Sequence, residues 1–214
     1  MKKKYLIFDL DWTLVNSQSW LVDLIINSIK NHTEMPEDEM RYLFKTTAWT
    51  PLEKQISDIF WCKKKWKEFW KKVYNEILIH SQSNPAHFFD WVIDKIKELS
   101  GKYKLFLTTW NHTKFAKEVL DKWGVLNLFE GVYWSDIIFK WEAHLNIFKE
   151  KMELENWEKN FFEKSIYIWD WDADRYFAGI FDIDFIHIWN EWKDEYEIKS
   201  VAEIDWALEK IENK

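Results

Sequence analysis

The sequence predicts an α/β fold, in which helices cover both faces of a parallel sheet. Two features of the 214-residue chain indicate this fold. From residue 85 onwards, short apolar runs typical of buried strands alternate with helical segments, as in parallel sheets. Before them, residues 17–84 show helical periodicity almost throughout. We therefore predict an α/β core from residues 1–16 and 85–214, with an all-helical domain from residues 17–84 inserted into it.

The first predicted strand, Tyr5–Phe8, is a run of four apolar residues. In the segment that follows it, apolar residues recur three or four positions apart, for example at Leu21, Leu24 and Ile25. This spacing is typical of the buried face of a helix. Ser83-Asn84-Pro85 interrupts the pattern and suggests a hinge that leads back to the core.

Predicted strands and helices alternate through the rest of the chain. Gly101 lies just beyond the predicted helix Phe89–Leu99, and glycine is common where helices end. The later predicted elements are strand Tyr103–Thr108, helix Lys114–Trp123, a short strand near Val132, helix Ala143–Met152, strand Ser165–Ile168, a helix from Asp174, strand Phe185–Ile188 and helix Val201–Ile211. The carboxyl ends of parallel strands share one sheet edge, so polar residues that follow these strands should meet there.

Composition argues against several classes of function. The formal charge is −7, with acidic and basic residues interspersed, which gives no reason to expect nucleic acid or a membrane as a partner. No run approaches the ~20 apolar residues of a membrane span. Cys62 is the single cysteine, so neither a disulfide nor a cysteine metal site is expected. We expect a cytoplasmic protein, and the sequence carries no indication of its oligomeric state.

Two carboxylates follow the first predicted strand. Asp9 and Asp11 lie in the segment Asp9-Leu10-Asp11-Trp12-Thr13, at the strand end where α/β sheets bind ligands. A pair of carboxylates there suits a divalent cation and a phosphoryl group. A strand followed by Asp-x-Asp-x-Thr resembles motif I of the haloacid dehalogenase (HAD) superfamily, although HAD phosphatases usually have glycine where Trp12 stands.

Three later segments resemble the remaining HAD motifs, in the expected order. The strand that ends at Thr108-Thr109 resembles motif II, whose hydroxyl group binds the transferring phosphoryl group. Thr108 is the first choice and Thr109 the second, because the alignment can slip by one residue. Lys140 resembles the lysine of motif III, and Asp170 and Asp174 occupy the acidic positions of motif IV.

The resemblance implies a Rossmann-like core with a helical C1 cap, and a phosphatase similar to phosphoglycolate phosphatases. Such an enzyme hydrolyses a small phosphorylated metabolite. Asp9 would attack phosphorus to form an aspartyl-phosphate, and Asp11 would carry protons to the leaving group and from water. Thr108, Thr109 and Lys140 would bind the phosphate oxygens.

The resemblance also implies Mg²⁺ as the cofactor. Asp9, the backbone carbonyl of Asp11, and Asp170 would bind the ion directly. Asp174 would support these ligands without binding the ion itself. Four neighbouring acids also predict raised pKa values in the absence of metal, because like charges disfavour ionisation.

Two other functions are compatible with these motifs. A phosphomutase of the β-phosphoglucomutase kind has the same aspartate pair and cap, and release of free phosphate would distinguish a phosphatase from it. A non-catalytic binding protein on a HAD scaffold is the second alternative. It gains weight if the tryptophans of the motifs are genuine.

The chain has 17 tryptophans and 4 glycines, where about 15 glycines would be ordinary. We hypothesise that many of these tryptophans are UGA codons that the source organism reads as glycine. Glycine would restore the HAD motifs, and several of these positions should have positive φ or crowd the cleft. Trp66 and Trp70, four apart in a helical stretch, are expected to be genuine. The motif positions concerned are Trp12, Trp110, Trp134, Trp141, Trp169 and Trp171.

Overall fold

The structure, a computed structural model, describes residues 2–47, 50, 52–60, 63–83, 86–111, 113–134, 138, 140–170, 172–188 and 195–214. Its strands are β1 (Tyr5–Phe8), β2 (Val15–Asn16), β3 (His87–Phe88), β4 (Lys104–Thr109), β5 (Phe129–Trp134), β6 (Ser165–Trp169), β7 (Asp184–Ile188) and β8 (Glu197–Ile198). Within these ranges, all strands except β2 and β3 form one parallel sheet in the order β5-β4-β1-β6-β7-β8. The predicted α/β fold is confirmed.

Strand register brings three strand ends together. Phe8, the last residue of β1, is paired with Leu107 in β4 and with Ile168 in β6. Because these strands are parallel, the residues that follow them lie at the same edge of the sheet. Asp9 is therefore flanked by the ends of β4 and β6.

The helices vary in length from two to almost six turns. They are α1 (Gln18–Ile29), α2 (Glu37–Thr46), α3 (Leu52–Ile59), α4 (Lys63–Ser83), α5 (Val92–Ser100), α6 (Thr113–Lys122), α7 (Glu142–Asn156), α8 (Asp172–Ile180) and α9 (Ile204–Glu212). Short 3₁₀ turns occupy Lys30–His32, Leu126–Leu128 and Val201–Glu203. None of the helices that the structure describes is long and apolar enough to cross a membrane.

The long segment after β1 consists of α1 to α4. α1 packs against α2 and α4, α3 packs against α4, and α4 also contacts α6. Where the chain leaves and re-enters the core, β2 and β3 form an antiparallel ribbon that pairs Val15 with Phe88. The domain limits at residues 16/17 and 84/85 stay a prediction. Asn84 and Pro85 of the predicted hinge lie outside the described residues.

Alternation in the strands divides the core between the two faces of the sheet. Leu6 and Phe8 of β1 face a large cluster that includes apolar residues of α1, α2, α3, α5, α6 and α9. Tyr5 and Ile7 face the other side, where Phe148 of α7 packs. Successive strand residues point to opposite faces, so both faces of β1 are buried. Such a central strand holds the backbone before Asp9 firmly.

Candidate active site

Asp9 is a buried carboxyl group at the end of β1. Its backbone N–H donates to the carbonyl of Ile168 at 3.2 Å, which continues the pairing of β1 with β6. The buried Lys140 ammonium lies 3.2 Å from Asp9 Oδ1. Burial raises the pKa of Asp9 well above its ordinary value, and Lys140 acts in the opposite direction. Lys140 is therefore placed to stabilise the ionised form of Asp9.

Asp11 is held by three hydrogen-bond donors. The Ser17 hydroxyl donates to Oδ1, and the Asn111 side-chain amide donates to Oδ2. The Thr109 hydroxyl also donates to Oδ2, at 3.4 Å. Ser17 and Asn111 were not among the residues that the sequence assigned to the site. Ser17 precedes α1 like a helix cap, yet its side chain makes no capping hydrogen bond and contacts Asp11 instead.

Asp170 and Asp174 lie at the end of β6 and in the first turn of α8. Asp174 is buried, and its Oδ1 accepts hydrogen bonds from the Tyr167 hydroxyl at 3.3 Å and from the Trp141 indole. The Asp170 carbonyl oxygen lies 3.3 Å from His187 Nε2. Both acids thus follow the strand next to β1, at the edge where Asp9 lies.

The carboxyl groups of the cleft have raised pKa values, as four neighbouring acids predict. The pKa of Asp170 is raised to about 8 and that of Asp174 to about 6, and Asp9 and Asp11 shift in the same direction. In each case burial is the largest cause. Repulsion by neighbouring carboxylates adds to the shifts of Asp9 and Asp170, and Lys140 acts in the opposite direction at both. The direction was as expected, but the main cause is desolvation.

The two adjacent threonines at the end of β4 have different partners. The Thr108 hydroxyl lies 2.7 Å from Nδ1 of His144, whose Nε2 lies 2.8 Å from the Ile138 carbonyl. Burial lowers the pKa of His144 to about 4, so the ring is neutral at pH 7. Its single N–H donates to Ile138, and Nδ1 accepts the Thr108 proton. The Thr109 hydroxyl instead contacts Asp11.

The donors at this edge fit a hard divalent cation. Asp9, Asp11, Asp170 and Asp174 supply oxygen atoms only, and Lys140 is the cation beside them. In the described part of the chain, no three His, Cys, Asp or Glu side chains form a group that could hold a metal ion. The set that the resemblance implies has only two carboxylates and a backbone carbonyl. Its chemistry is therefore compatible with Mg²⁺, and the assignment of ligands stays a prediction.

A cavity of about 140 Å³ opens above the four carboxylates. Asp9, Asp11, Asp170 and Asp174 form its floor together with Asn111. Helices α1 to α3 supply the opposite wall. That wall includes Leu21, Val22, Ile25, Phe44, Thr50, Leu52 and Gln55, whereas Ser17 lines the cavity beside Asp11. Residues of the core and of the inserted helices thus line one space.

Comparisons with known proteins give one family and one fold. Residues 6–188 match the family model of haloacid dehalogenase-like hydrolases, and no curated protein matches the chain in sequence. A protein of Haemophilus somnus predicted to be a phosphoglycolate phosphatase is 16% identical, with a TM-score of 0.76 over 96% of this chain and 98% of its own. The magnesium-bound hydrolase YfnB of Bacillus subtilis is 16% identical, with a TM-score of 0.73 over 98% of this chain and 100% of its own. A Thermotoga maritima protein assigned as a β-phosphoglucomutase is 17% identical, with a TM-score of 0.71 over 97% of this chain and 99% of its own. The chain therefore belongs to the haloacid dehalogenase-like hydrolase family, as its motifs predicted, and is a hydrolase.

Proposed function

We propose that this hydrolase is a Mg²⁺-dependent phosphatase that cleaves a small phosphorylated metabolite through an aspartyl-phosphate on Asp9. One observation supports the proposal above the others: Asp9 is buried at a strand end, 3.2 Å from Lys140, on the floor of the cavity that Asp11 also lines. A nucleophile and a proton carrier thus face the same space. The magnesium-bound B. subtilis structure supports the choice of metal.

Asp9 acts first, as the nucleophile. An Asp9 carboxylate oxygen forms a bond to phosphorus, and the bond from phosphorus to the ester oxygen breaks, so the electron pair leaves with that oxygen. Phosphate esters resist attack because they are anionic, so catalysis depends on positioning and on neutralising charge. Lys140 supplies one positive charge at Asp9. When bound, Mg²⁺ supplies further positive charge to the phosphoryl oxygens.

Asp11 acts second, as the proton carrier. Its raised pKa favours the protonated form that can donate to the leaving oxygen. Ionised Asp11 then takes a proton from water, whose oxygen attacks phosphorus and releases inorganic phosphate from Asp9. Ser17 and Asn111 hold the Asp11 carboxyl group in one orientation through both steps.

The phosphate oxygens are bound by hydroxyl and ammonium groups in this proposal. Thr108, Thr109 and Lys140 are the side chains assigned to it. Thr109 is the better placed of the two threonines, because its hydroxyl contacts Asp11, whereas the Thr108 proton is directed to His144. Thr108 then stabilises the end of β4 through its contact with His144, on the face of the sheet opposite to Thr109.

The test is phosphate release from a panel of sugar phosphates, nucleotides and other monophosphates, with Mg²⁺ or with chelator. It uses the chain as it stands and a glycine version, which has glycine at positions 12, 110, 134, 141, 169 and 171. We expect Mg²⁺-dependent release that Asp9→Asn abolishes and that the control Asp121→Asn, on the exposed surface of α6, retains. Undiminished release by Asp9→Asn would refute the nucleophile. Phosphoryl transfer without free phosphate would indicate a mutase.

A further inference from the structure

The wall of the cavity that faces the carboxylates is mostly apolar. Leu21, Val22 and Ile25 project from α1, Phe44 from α2, and Leu52 from α3. If the phosphoryl group binds at Asp9, the rest of the substrate lies between the floor and this wall. The chemistry of the wall therefore selects the leaving group, which deepens the proposed function and rests on it.

Among the described residues that line this cavity there is no lysine, arginine or histidine. Lys140 is buried beneath it and is already paired with Asp9. Of the polar residues on the wall, Gln55 donates one N–H of its side-chain amide to the Thr50 carbonyl at 2.8 Å.

A second anionic group on the substrate would be poorly accommodated here. It would lose water against apolar side chains, and no cation among the described lining residues would compensate for that loss. An apolar leaving group, in contrast, would gain from burial against this wall. We propose that the substrate is the monophosphate ester of an uncharged, largely apolar alcohol, rather than of a hydroxy acid or a second phosphate.

Three esters of small alcohols test this inference: phosphoglycolate, the derivative in which its carboxylate is an uncharged amide, and butyl phosphate. The amide matches the carboxylate in size and differs in charge. We expect the two esters with uncharged leaving groups to have kcat/KM values at least about 10-fold above that of phosphoglycolate. A preference for phosphoglycolate would overturn the inference and leave the phosphatase intact. No phosphate from any ester in the panel, with either version of the chain, would overturn the proposed function itself.

A charge placed in the wall gives the matched variant. Val22 is partly exposed on α1, so Val22→Arg can bring a guanidinium into the cavity without filling a closed core. It should shift the ratio of kcat/KM values towards phosphoglycolate by about 10-fold. Val22→Met, of similar reach but uncharged, should leave the ratio unchanged. An unchanged ratio in Val22→Arg would contradict the placement of the leaving group at this wall.

A second inference comes independently from the backbone. Five non-glycine residues in the described ranges have positive φ, and four of them are tryptophans: Trp12 (61°), Trp91 (65°), Trp141 (71°) and Trp157 (53°). The fifth is an aspartate, a residue type that tolerates this region, whereas a bulky aromatic residue does not. Tryptophan makes up 17 of 214 residues, so chance does not concentrate it here.

The ends of α6 and α7 allow a direct comparison. Gly124, with φ of 69°, follows α6, and Trp157 follows α7 in the same left-handed conformation. Trp157 is 88% exposed and Trp91 is 77% exposed, so packing does not compensate for the strain. Glycine adopts this conformation without a steric penalty and is the common residue at such helix ends.

Other tryptophans behave as genuine ones do. Trp70 lies within α4 with its ring 5.7 Å from that of Tyr74, and the Trp123 indole donates to the Ala86 carbonyl at 3.1 Å. Both have ordinary backbone angles. Trp66 is also helical, but its side chain lies outside what the structure describes.

The tryptophans of the HAD motifs fall into two groups by their backbone φ angles. Trp12 and Trp141 show the positive φ expected of glycine positions, and Trp110, Trp134 and Trp169 do not. Trp169 crowds the cleft instead, with its ring centroid 3.1 Å from Lys140 Nζ. Trp171 lies outside the described residues. We propose that the natural chain has glycine, encoded by UGA, at positions 12, 91, 141 and 157.

Stability and codons test this proposal. Trp91→Gly and Trp157→Gly should each raise Tm by about 2–4 °C, because the left-handed strain is removed and no packed ring is lost. The controls Trp70→Gly and Trp123→Gly should lower it. The gene should have TGA at positions 12, 91, 141 and 157. TGG at these positions, or a lower Tm in both Trp91→Gly and Trp157→Gly, would overturn the proposal.

Discussion

At the scale of single residues, the orientation of Asp11 depends on side chains that the sequence does not mark. Ser17 and Asn111 donate to opposite oxygens of the same carboxyl group, from the start of α1 and from the loop after β4. They are far apart in the chain and meet only in the folded protein. The motifs could predict Asp11 and Thr109, but no local pattern predicts that Ser17 and Asn111 contact Asp11.

Substitutions at this carboxyl group should have graded effects on turnover. Asp11→Asn removes the proton carrier and should lower kcat by about 10²–10⁴-fold. Asn111→Ala removes one of three hydrogen bonds that orient the carrier and should lower kcat less, by about 10-fold, since a hydrogen bond to a charged group contributes at least about 1.5 kcal/mol. Steady-state phosphate release measures both, with circular dichroism to check folding. Equal losses in the two variants would contradict the division of roles.

At the scale of elements, Glu158 connects the start of β1 to the loop before β6. Its carboxylate accepts hydrogen bonds from Lys4 at 3.2 Å and from the Tyr5 hydroxyl at 3.1 Å. On the β6 side, Lys164 donates at 2.7 Å and the Asn160 N–H at 3.2 Å. Burial acts to raise the pKa of Glu158, but these donors outweigh it and lower the pKa to about 2.

This cluster predicts a pH dependence of stability. A carboxyl group whose pKa is lowered on folding stabilises the fold fully above its unfolded pKa of about 4.3, and the contribution is lost as pH falls towards 2. Glu158→Gln should therefore lower the free energy of unfolding at pH 7 by about 2 kcal/mol and flatten the acid limb between pH 4.5 and 2. Urea unfolding across this range measures it. A variant with an unchanged acid limb would contradict the role of Glu158.

The same scale shows what the sequence could predict of the fold. Long periodic segments were placed within a few residues, for example α9, predicted from Val201 and observed from Ile204. α5 begins at Val92 rather than Phe89, because β3 ends at Phe88 and Trp91, directly before the helix, has a left-handed backbone conformation. The strands β2, β3 and β8 were not predicted. A two-residue strand leaves no periodic pattern, since only the partner strand defines it.

At the scale of the whole molecule, folding brings four acids to one sheet edge, and this has an energetic cost. The pKa values of Asp174 and Asp170, about 6 and about 8, lie above those of an unfolded chain, which are near 4. The folded protein then binds more protons than the unfolded one over this range. Stability of the metal-free protein should therefore fall as pH rises from about 4 to 8.

Asp174→Asn and Mg²⁺ test this cost. The substitution should reduce the fall between pH 4 and 6, and should raise the free energy of unfolding of metal-free protein at pH 8 by at least about 1.4 kcal/mol, the equivalent of one pKa unit. Saturating Mg²⁺ should stabilise the unaltered chain more at pH 8 than at pH 5. Urea unfolding with chelator or Mg²⁺ gives both values. Equal stabilisation at the two pH values would count against metal binding by these carboxylates.

The central claim is that Asp9 carries the phosphoryl group, and chemical trapping tests it most directly. The glycine version is mixed with Mg²⁺ and an intact monophosphate ester that it is known from the panel to hydrolyse. The reaction is quenched in acid within one turnover, and the protein is digested for peptide mass spectrometry. The account predicts a phosphoryl group on the peptide that contains Asp9, and none on the same peptide of Asp9→Asn. Turnover without a phosphoryl group on that peptide, or with the group on another residue, would contradict it.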